Sequence, residues 1–335
     1  MSSTLDNRHI IAIGTSSGGV DALRKVVGDL PPDLPASVFV VLHIGENSQL
    51  PQILESVGPL PAAHAESREP IENGRIYVAP PDKHLLLHDS HVLLRRGPRE
   101  NMARPAIDPL FRSAVCSFGA KTIGVVLTGG LSDGTGGLQA IKSGGGMAVV
   151  QDPATAVAPN MPQSALRHAS VDHCVPLESI GSLLGRLAAE PAGASLPVPV
   201  NVQLEAAIAA QEHGAMMDED KLGNPTGFVC PDCRGPLWEV SEGALPRFRC
   251  RVGHAFTGDA ILAAQAEEVE RSLWSLLNAH QQRAEITRRL AKREAEGSRQ
   301  PYAQRLHQRA RECEEDAEVV RRMLHGREGE TAENA

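Results

Sequence analysis

The chain has 335 residues, enough for about two domains and at least one full hydrophobic core. Hydrophobic residues make up 41% of the chain and aromatic residues only 3%, so Ala, Val, Leu and Ile must form the core. This scarcity of aromatic rings argues against a base-stacking surface for single-stranded nucleic acid. With 33 basic and 41 acidic residues, the net charge of −8 provides no basic field for DNA, RNA or an anionic membrane.

Charge divides the chain into two parts. From Phe228 onward about a third of the residues are charged and nearly balanced, whereas before Phe228 about a sixth are charged and most of the net negative charge lies there. No apolar run is long enough to insert into a membrane, and the first fifteen residues lack the features of a signal peptide. The sequence therefore predicts a cytoplasmic protein.

From His9 to about Ala189, short β-branched apolar runs alternate with amphipathic stretches. This alternation predicts an α/β fold with a doubly wound, mostly parallel sheet, to which a polar turn at Asp89–Ser90 adds a small antiparallel hairpin. The predicted strands are Ile10–Ile13, Val38–Leu42, Arg75–Val78, Leu85–His88, His91–Arg95, Ile123–Leu127, Met147–Val150 and Val171–Cys174. The predicted helices are one with Val20, Leu23, Val27 and Leu30 on one face, and then Pro105–Phe118, Thr135–Ser143, Pro162–Ala169 and Ser179–Ala189.

The predicted organisation has five parts. Residues 1–190 form the α/β domain, 191–227 a Pro- and Gly-rich linker with a short helix near Leu204–Ala210, 228–257 a Cys-rich unit, 258–327 a helical hairpin, and 328–335 a disordered tail. The apolar stripe of the two C-terminal helices is predicted to be the core of the hairpin, and a partner protein that binds these helices is the alternative. This stripe comprises Leu262, Val269, Leu273, Leu276, Leu277, Leu306, Val319, Val320 and Leu324.

The first predicted strand leads into the turn GTSSGG at residues 14–19, directly before a helix. The turn matches neither G-x-G-x-x-G nor the P-loop. It does place the hydroxyl of Ser16 beside free backbone N–H groups, which suits a nucleophilic serine with an oxyanion hole. A Ser-rich turn that only caps the helix is the plainer interpretation.

A serine nucleophile needs a base and a carboxylate that orients the base. His43 directly follows the apolar run VFVVL, and Asp133 lies just after the strand Ile123–Leu127. Asp82 and Asp108 are competitors, but neither follows a clean strand. Because the carboxyl ends of parallel strands converge on one crevice, we expect Ser16, His43 and Asp133 to meet there. Taken singly, a structural histidine and a helix-capping aspartate remain the alternatives.

With these residues in view, residues 9 to about 189 resemble the catalytic domain of the CheB-type protein-glutamate methylesterases of chemotaxis. The family's catalytic serine, histidine and aspartate fall on Ser16, His43 and Asp133, and the resemblance implies oxyanion or substrate-binding groups at Ser17 and Gly130. The matching segments are IAIGTSSGG at 11–19, VVLHI around His43, IYVAPPDKHLLL at 76–87, RPAIDPLF at 104–111, GVVLTGGLSDGTGGL at 124–138 and Asn160-Met161-Pro162.

The resemblance implies hydrolysis of γ-glutamyl methyl esters on the cytoplasmic helices of methylated chemoreceptors, with glutamine deamidation as a second activity and no cofactor for catalysis. Two departures stand out: the family usually has Met-Gly-Asn where this chain has Gly130-Leu131-Ser132, and well-known members carry an N-terminal receiver domain. Because the matching text begins within ten residues of Met1, control by a receiver domain in cis is not expected. The alternatives are a signalling scaffold with a regulatory or weakly active hydrolase domain, and a serine esterase with another substrate.

The Cys-rich unit contains a C-x₂-C pair, Cys230 and Cys233, and, after sixteen intervening residues, a C-x₃-H pair, Cys250 and His254. Four such ligands predict a closed tetrahedral site for a structural zinc ion, and a unit of about thirty residues needs such a staple to fold. Reduced cysteines in a small apolar core are the alternative. The unit and the helix after it resemble a C-terminal extension of some family members that lack a receiver domain.

Overall fold

The computed structural model describes residues 7–43, 49–212, 223–240, 245–297 and 299–333, with side chains as far as residue 326. Residues up to Ile261 form one compact unit, and residues from Leu262 onward form a second. The first nine strands of the chain are β1 (Ile10–Thr15), β2 (Ser37–Leu42), β3 (Ala62–His64), β4 (Ile76–Val78), β5 (His84–His88), β6 (His91–Arg95), β7 (Thr122–Val126), β8 (Met147–Gln151) and β9 (His173–Val175).

Seven of these strands form one parallel sheet in the order β3-β4-β2-β1-β7-β8-β9. The central strands β1, β2 and β7 are continuous apolar runs that are buried along their whole length, as expected of strands covered on both faces. Strands β5 and β6 form the predicted antiparallel hairpin, with His88 opposite His91. The predicted doubly wound, mostly parallel α/β fold is confirmed.

Helices cover both faces of the sheet. α1, α2 and α6 contribute to one hydrophobic core, and α3, α4 and α5 to the other. Their bounds are α1 (Gly19–Gly28), α2 (Leu50–Val57), α3 (Ile107–Phe118), α4 (Thr135–Ser143), α5 (Asn160–His168) and α6 (Leu177–Ala189).

One strand and one α-helix of this domain were not predicted from the sequence. β3 is an edge strand of three residues, too short to show a period, and α2 is an eight-residue helix with Pro51 near its start. The remaining predicted strands and helices are present, with ends shifted by a few residues. Such shifts are usual because local sequence signals fade where an element ends.

The same compact unit continues past the predicted linker. Helix α7 (Val200–Ala209) lies in the linker segment, whose residues 213–222 fall outside the described part of the chain. α7 packs against α3 and buries Glu205, so this segment is partly an ordered component of the domain. A four-stranded antiparallel sheet follows, in which the strands pair in chain order: β10 (Asn224–Val229), β11 (Pro236–Glu239), β12 (Arg247–Cys250) and β13 (Ala255–Thr257).

Two long helices, α8 (Gly258–Glu296) and α9 (Gln300–Glu333), end the described chain. α9 continues past residue 327, where the sequence predicts the helical hairpin to end, and residues 334–335 of the predicted tail lie outside the described part. Within the second unit, Leu277, Val320 and Leu324 are buried in a shared cluster. The predicted core stripe is partly wrong, because some of its members are 42% to 66% exposed: Leu262, Val269, Leu276 and Val319.

None of the helices in the described part of the chain is both long enough and apolar enough to cross a membrane.

Candidate active site

The turn that carries Ser16 joins β1 to α1 at the centre of the sheet. The Ser16 N–H donates to the carbonyl oxygen of Thr128 (3.0 Å), and the Thr15 hydroxyl donates to the same oxygen (2.8 Å). Gly18 has φ 76°, a left-handed conformation that favours glycine, and α1 begins at the next residue. The Ser16 side chain is therefore presented, half-buried, at the carboxyl edge of the sheet.

This edge is also where the strand order reverses, because β1 has β2 on one side and β7 on the other. In open α/β sheets the loops separate at such a point and leave a crevice for a ligand. His43 is the first residue after β2, and Asp133 belongs to the loop between β7 and α4. The topology therefore places the ends of β2, β1 and β7 side by side, as the sequence predicts.

The His43 ring and the Asp133 carboxylate are hydrogen-bonded. His43 Nε2 lies 2.8 Å from Asp133 Oδ2, and the side chain of His43 is 21% exposed while that of Asp133 is 2% exposed. The His43 backbone N–H donates to the Thr15 carbonyl oxygen (3.3 Å), which fixes this histidine beside the Ser16 turn.

Because Asp133 holds Nε2, a proton taken from Ser16 would have to go to the other ring nitrogen of His43, Nδ1. Among the bonds between described residues, none joins the Ser16 hydroxyl to the His43 ring. Catalytic hydrogen bonds are often long until a substrate is bound, so this arrangement is compatible with a serine–histidine pair.

Asp133 is held by several donors. Its Oδ2 also accepts the N–H of Ile107 (2.7 Å), and its Oδ1 accepts the N–H groups of Asp108 (3.2 Å) and Gly134 (3.0 Å). Burial raises the pKa of the Asp133 carboxyl, but the hydrogen bond from His43 and the backbone donors outweigh it and hold the pKa below its usual value. Asp133 is therefore ionised at neutral pH.

Two neighbours of Asp133 were missed as site residues by the sequence reasoning. The Asn101 amide donates to Asp133 Oδ1 (2.9 Å) and to Asp108 Oδ2 (3.1 Å), and so joins the two carboxyls. Burial, together with the charge of Asp133, raises the pKa of Asp108 to about 7. Asp108 was set aside from the sequence because it does not follow a strand; it reaches the site from the first turn of α3.

The predicted oxyanion donors lie in the two loops that flank Ser16. The backbone N–H groups of Ser17 and Gly130 donate no hydrogen bond to any residue in the described part of the chain. By contrast, the N–H of Ser16 donates to the carbonyl oxygen of Thr128, and the N–H of Gly129 donates to the carbonyl oxygen of Ala158 (2.9 Å). Ser17 N–H and Gly130 N–H are thus available to a bound oxygen.

The loop before Asp133 departs from the family pattern at Gly130-Leu131-Ser132, and its conformation shows how the chain accommodates these residues. Leu131 has φ 58° and is 36% exposed, whereas Ser132 is buried. The Ser132 hydroxyl donates to the hydroxyl of Thr257 in β13 (2.8 Å). Asp133 still reaches His43, so the different loop sequence leaves their hydrogen bond in place.

A family model described as CheB methylesterase matches residues 11–184. The chain belongs to the CheB methylesterase family. A Leptospira interrogans protein named as a protein-glutamate methylesterase/protein-glutamine glutaminase is 43% identical over 184 residues, which cover 54% of this chain and 95% of that protein. A Hydrogenovibrio crunogenus protein of the same name is 38% identical over 180 residues, covering 52% of this chain and 48% of that protein.

Among solved structures, the crystal structure of the Thermotoga maritima CheB methylesterase catalytic domain matches this CheB-family chain with a TM-score of 0.52 and 33% identity. The match covers 53% of this chain and 98% of that domain. The part matched by the family model contains Ser16, His43 and Asp133 but ends before α7 and the Cys-rich unit.

The four predicted metal ligands form one cluster. One ligand atom each of Cys230, Cys233, Cys250 and His254 lies within 4.8 Å of the others. Three separations are shorter: 3.6 Å between the sulfurs of Cys233 and Cys250, and 3.5 and 3.7 Å from His254 Nδ1 to the sulfurs of Cys250 and Cys230. Zn–S bonds of about 2.3 Å in a tetrahedron place ligand atoms roughly 3.8 Å apart, so these residues can hold a metal ion.

Proposed function

We propose that this chain is a protein-glutamate methylesterase that hydrolyses γ-glutamyl methyl esters on the cytoplasmic helices of methylated chemoreceptors. The observation that carries the proposal is the hydrogen bond between His43 and the ionised Asp133, next to the turn that presents Ser16. Membership of the CheB family and the names of the relatives support a glutamyl methyl ester as the substrate.

In the proposed reaction, His43 Nδ1 accepts the hydroxyl proton of Ser16 as Oγ attacks the ester carbonyl carbon. The oxygen that becomes negative is stabilised by the N–H groups of Ser17 and Gly130. His43 then returns the proton to the departing methoxy group, methanol leaves, and the glutamyl chain remains as an ester on Ser16. Throughout, Asp133 fixes the orientation of the imidazole and stabilises its charged form.

Water completes the proposed cycle. His43 takes a proton from a water molecule, the resulting hydroxide attacks the ester on Ser16, and the proton returns to Oγ as glutamate is released. A glutamine side chain in the same position would lose ammonia instead of methanol in the first half of the cycle. The same groups therefore support glutamine deamidation as the second activity.

The test is methanol release from a panel of methylated receptors by the full chain and by Ser16→Ala. Without the nucleophile we expect the rate to fall by about 1,000-fold or more. Ser182→Ala on α6 is the matched control, because its side chain is exposed and bonds only within its own helix. It should retain the wild-type rate.

Methanol release by Ser16→Ala at the wild-type rate would refute the serine mechanism. If the wild type cleaves a simple aryl ester in a Ser16-dependent way but releases methanol from no receptor, the serine mechanism stands and the substrate assignment is wrong. If neither reaction occurs, the scaffold alternative is favoured.

We also propose that Cys230, Cys233, Cys250 and His254 hold a structural zinc ion. With four protein ligands the coordination would be closed, so the ion would stabilise the fold and take no part in the hydrolysis. The purified full chain should contain one zinc ion per molecule, and Cys233→Ser should lose it. Cys174→Ser, an exposed cysteine elsewhere, is the control. A wild-type chain without zinc, whose unfolding is unaffected by a chelator, would contradict the assignment.

A further inference from the structure

A short loop at residues 99–103 lies between the proposed zinc unit and the proposed catalytic aspartate. The loop pairs with β13: the Asn101 N–H donates to the Ala255 carbonyl oxygen (2.8 Å), and the Ala255 N–H donates to the Arg99 carbonyl oxygen (3.3 Å). Both Asn101 and Met102 have left-handed backbones, with φ 49° and 66°. Asparagine tolerates this conformation better than most residues.

The Asn101 side chain uses both of its amide hydrogens and its oxygen. Its oxygen accepts the N–H of Thr257 (2.9 Å), and its nitrogen donates to Asp133 and to Asp108. The residue is only 7% exposed, so these bonds form in a largely water-free environment where an amide is well oriented. One side chain thus connects β13 to the carboxylate that holds His43.

A second contact runs parallel to the first. The Ser132 hydroxyl, one residue before Asp133, donates to the side chain of Thr257. Thr257 lies three residues after the ligand His254, and the turn between β12 and β13 is closed by the Cys250 N–H, which donates to the His254 carbonyl oxygen (2.9 Å). The strand whose last residue contacts Asn101 and Ser132 therefore directly follows the turn that carries two of the proposed metal ligands.

We propose that the Cys₃His unit supports the catalytic site: through Thr257 it fixes Asn101, and Asn101 acts as a positioning residue that holds Asp133 against His43. The inference rests on the proposed function, and it extends that function by giving the C-terminal unit a role in the hydrolysis. Occupancy of the proposed metal site would then affect the rate, although none of its four ligands belongs to the proposed triad.

Charge explains why an amide is needed at residue 101. The two hydrogens of the Asn101 amide lie between the carboxyls of Asp108 and Asp133, which otherwise repel each other. An aspartate at residue 101 could still accept the N–H of Thr257 but would place a third carboxyl beside the other two. The other charged or titratable groups that act on this pair are His43, Glu100, Arg112 and Arg247.

The first experiment compares Asn101→Ala with Asn101→Asp in the full chain. We expect kcat to fall about 10- to 100-fold in Asn101→Ala with KM nearly unchanged, and further in Asn101→Asp, with the acid limb of the pH–rate profile moved to higher pH. A purely structural role predicts the opposite order, because aspartate matches asparagine in size and in tolerance of φ 49°. Equal or greater activity of Asn101→Asp would overturn the proposal.

The second experiment measures amide hydrogen exchange in the full chain with zinc, after chelation, and in Cys233→Ser. Loss of the metal should speed exchange at Thr257 and also at Ile107, Asp108 and Gly134, whose N–H groups bind Asp133. Faster exchange confined to residues 224–257, with kcat unchanged, would overturn the proposal. If Cys233→Ser is insoluble, the chelated wild type and the Asn101 variants still test the proposal.

Ser182→Ala, the control for the Ser16 variant, also serves both of these experiments. Its exposed side chain bonds only within α6, away from the loop at residues 99–103 and from the Cys₃His unit. It should keep the wild-type kcat and exchange rates. The exchange measurement needs no substrate. It therefore tests the coupling of the Cys₃His unit to Asp133 even if the chain releases no methanol, a result that would refute the proposed activity alone.

Discussion

Two buried carboxyls in the site differ in pKa because their partners differ. Asp133 accepts hydrogen bonds from an imidazole, an amide and several backbone N–H groups, which favour the ionised form. Asp108 is equally buried and accepts the Gly137 N–H (2.6 Å) and the Asn101 amide. Burial and the negative charge of the neighbouring Asp133 nevertheless raise the pKa of Asp108 to about 7. The pair can therefore carry a single negative charge, which avoids repulsion between two neighbouring carboxylates.

The raised pKa of Asp108 predicts the pH dependence of stability. Folded Asp108 keeps its proton from about pH 4 to about pH 7 while the unfolded chain releases it, so the free energy of unfolding should fall as pH rises through this window. The slope is at most about 1.4 kcal/mol per pH unit from this group. Above about pH 7 its contribution no longer changes.

Asp108→Asn removes this titration, and its free energy of unfolding should depend less steeply on pH between about pH 4 and 7. Urea unfolding of the wild type and the variant at several pH values measures the two slopes. Parallel curves would show that Asp108 titrates at its ordinary pKa. Asp133 and Glu205 are present in both proteins, and their lowered pKa values place most of their own contribution below about pH 5, so the difference between the two slopes above that pH reports on Asp108.

At the level of elements, the β1–α1 turn and the loop after β7 pack closely around Ser16. A Cβ atom on Gly129 would lie 2.1 Å from the Met161 sulfur and 2.9 Å from the Ser16 Cβ. The Met161 N–H also donates to the Gly129 carbonyl oxygen (2.9 Å), which ties α5 to this loop. The position of Ser16 therefore depends on the close approach of the Gly129 backbone, which has no side chain.

Gly129→Ala should displace Ser16 or Met161 and lower kcat about 10- to 100-fold, because displacements of about an ångström at a reacting group have effects of this size. Hydrolysis kinetics of the full chain measure it. Gly193→Ala is the control, since a Cβ there meets nothing within 4 Å. Equal rates for both variants would show that the Met161 side chain moves aside and leaves Ser16 in place.

Over the first compact unit, a cluster of buried charges joins elements that the sequence places in separate domains. Glu205 of α7 forms ion pairs with Arg247 (2.8 Å) and Arg249 (2.9 Å) of β12 and with Arg112 of α3 (3.2 Å). Glu100, beside Asn101, pairs with Arg112 and with Arg249 (3.2 Å). The loop at residues 99–103, α3, α7 and the Cys-rich unit are thus held by one electrostatic network.

Glu205→Gln should lower the free energy of unfolding by about 3–5 kcal/mol, because it leaves three buried guanidinium groups with one carboxylate. Chemical unfolding at neutral pH measures the loss. Glu178→Gln on α6 is the control, since that side chain is exposed. The lowered pKa of Glu205 means that the stability it provides is present above about pH 4 and is lost as pH falls further, so the variants should converge in acid.

Much of the fold could be predicted locally. The runs IIAI and VFVV are apolar and β-branched over several residues, and their alternation with amphipathic helices leaves a parallel sheet as the favoured arrangement. In such a sheet the strand ends share one edge, which is why Ser16, His43 and Asp133 could be grouped before their distances were known. The grouping of the four proposed metal ligands followed from spacing alone, because C-x₂-C and C-x₃-H each turn two side chains toward one point.

The tertiary structure alone decided what surrounds these residues. Asn101 lies 32 residues from Asp133 and 156 from Thr257, and it reaches both only because the loop crosses between α3 and β13. No local pattern marks such a residue, since an asparagine in a turn looks the same whether its amide is solvated or holds a carboxylate. The choice of His43 Nε2 as the partner of Asp133 and the burial of Glu205 in a predicted linker have the same cause. Sequence determines which groups are present and which strand ends they follow, and packing over long separations decides which atoms meet.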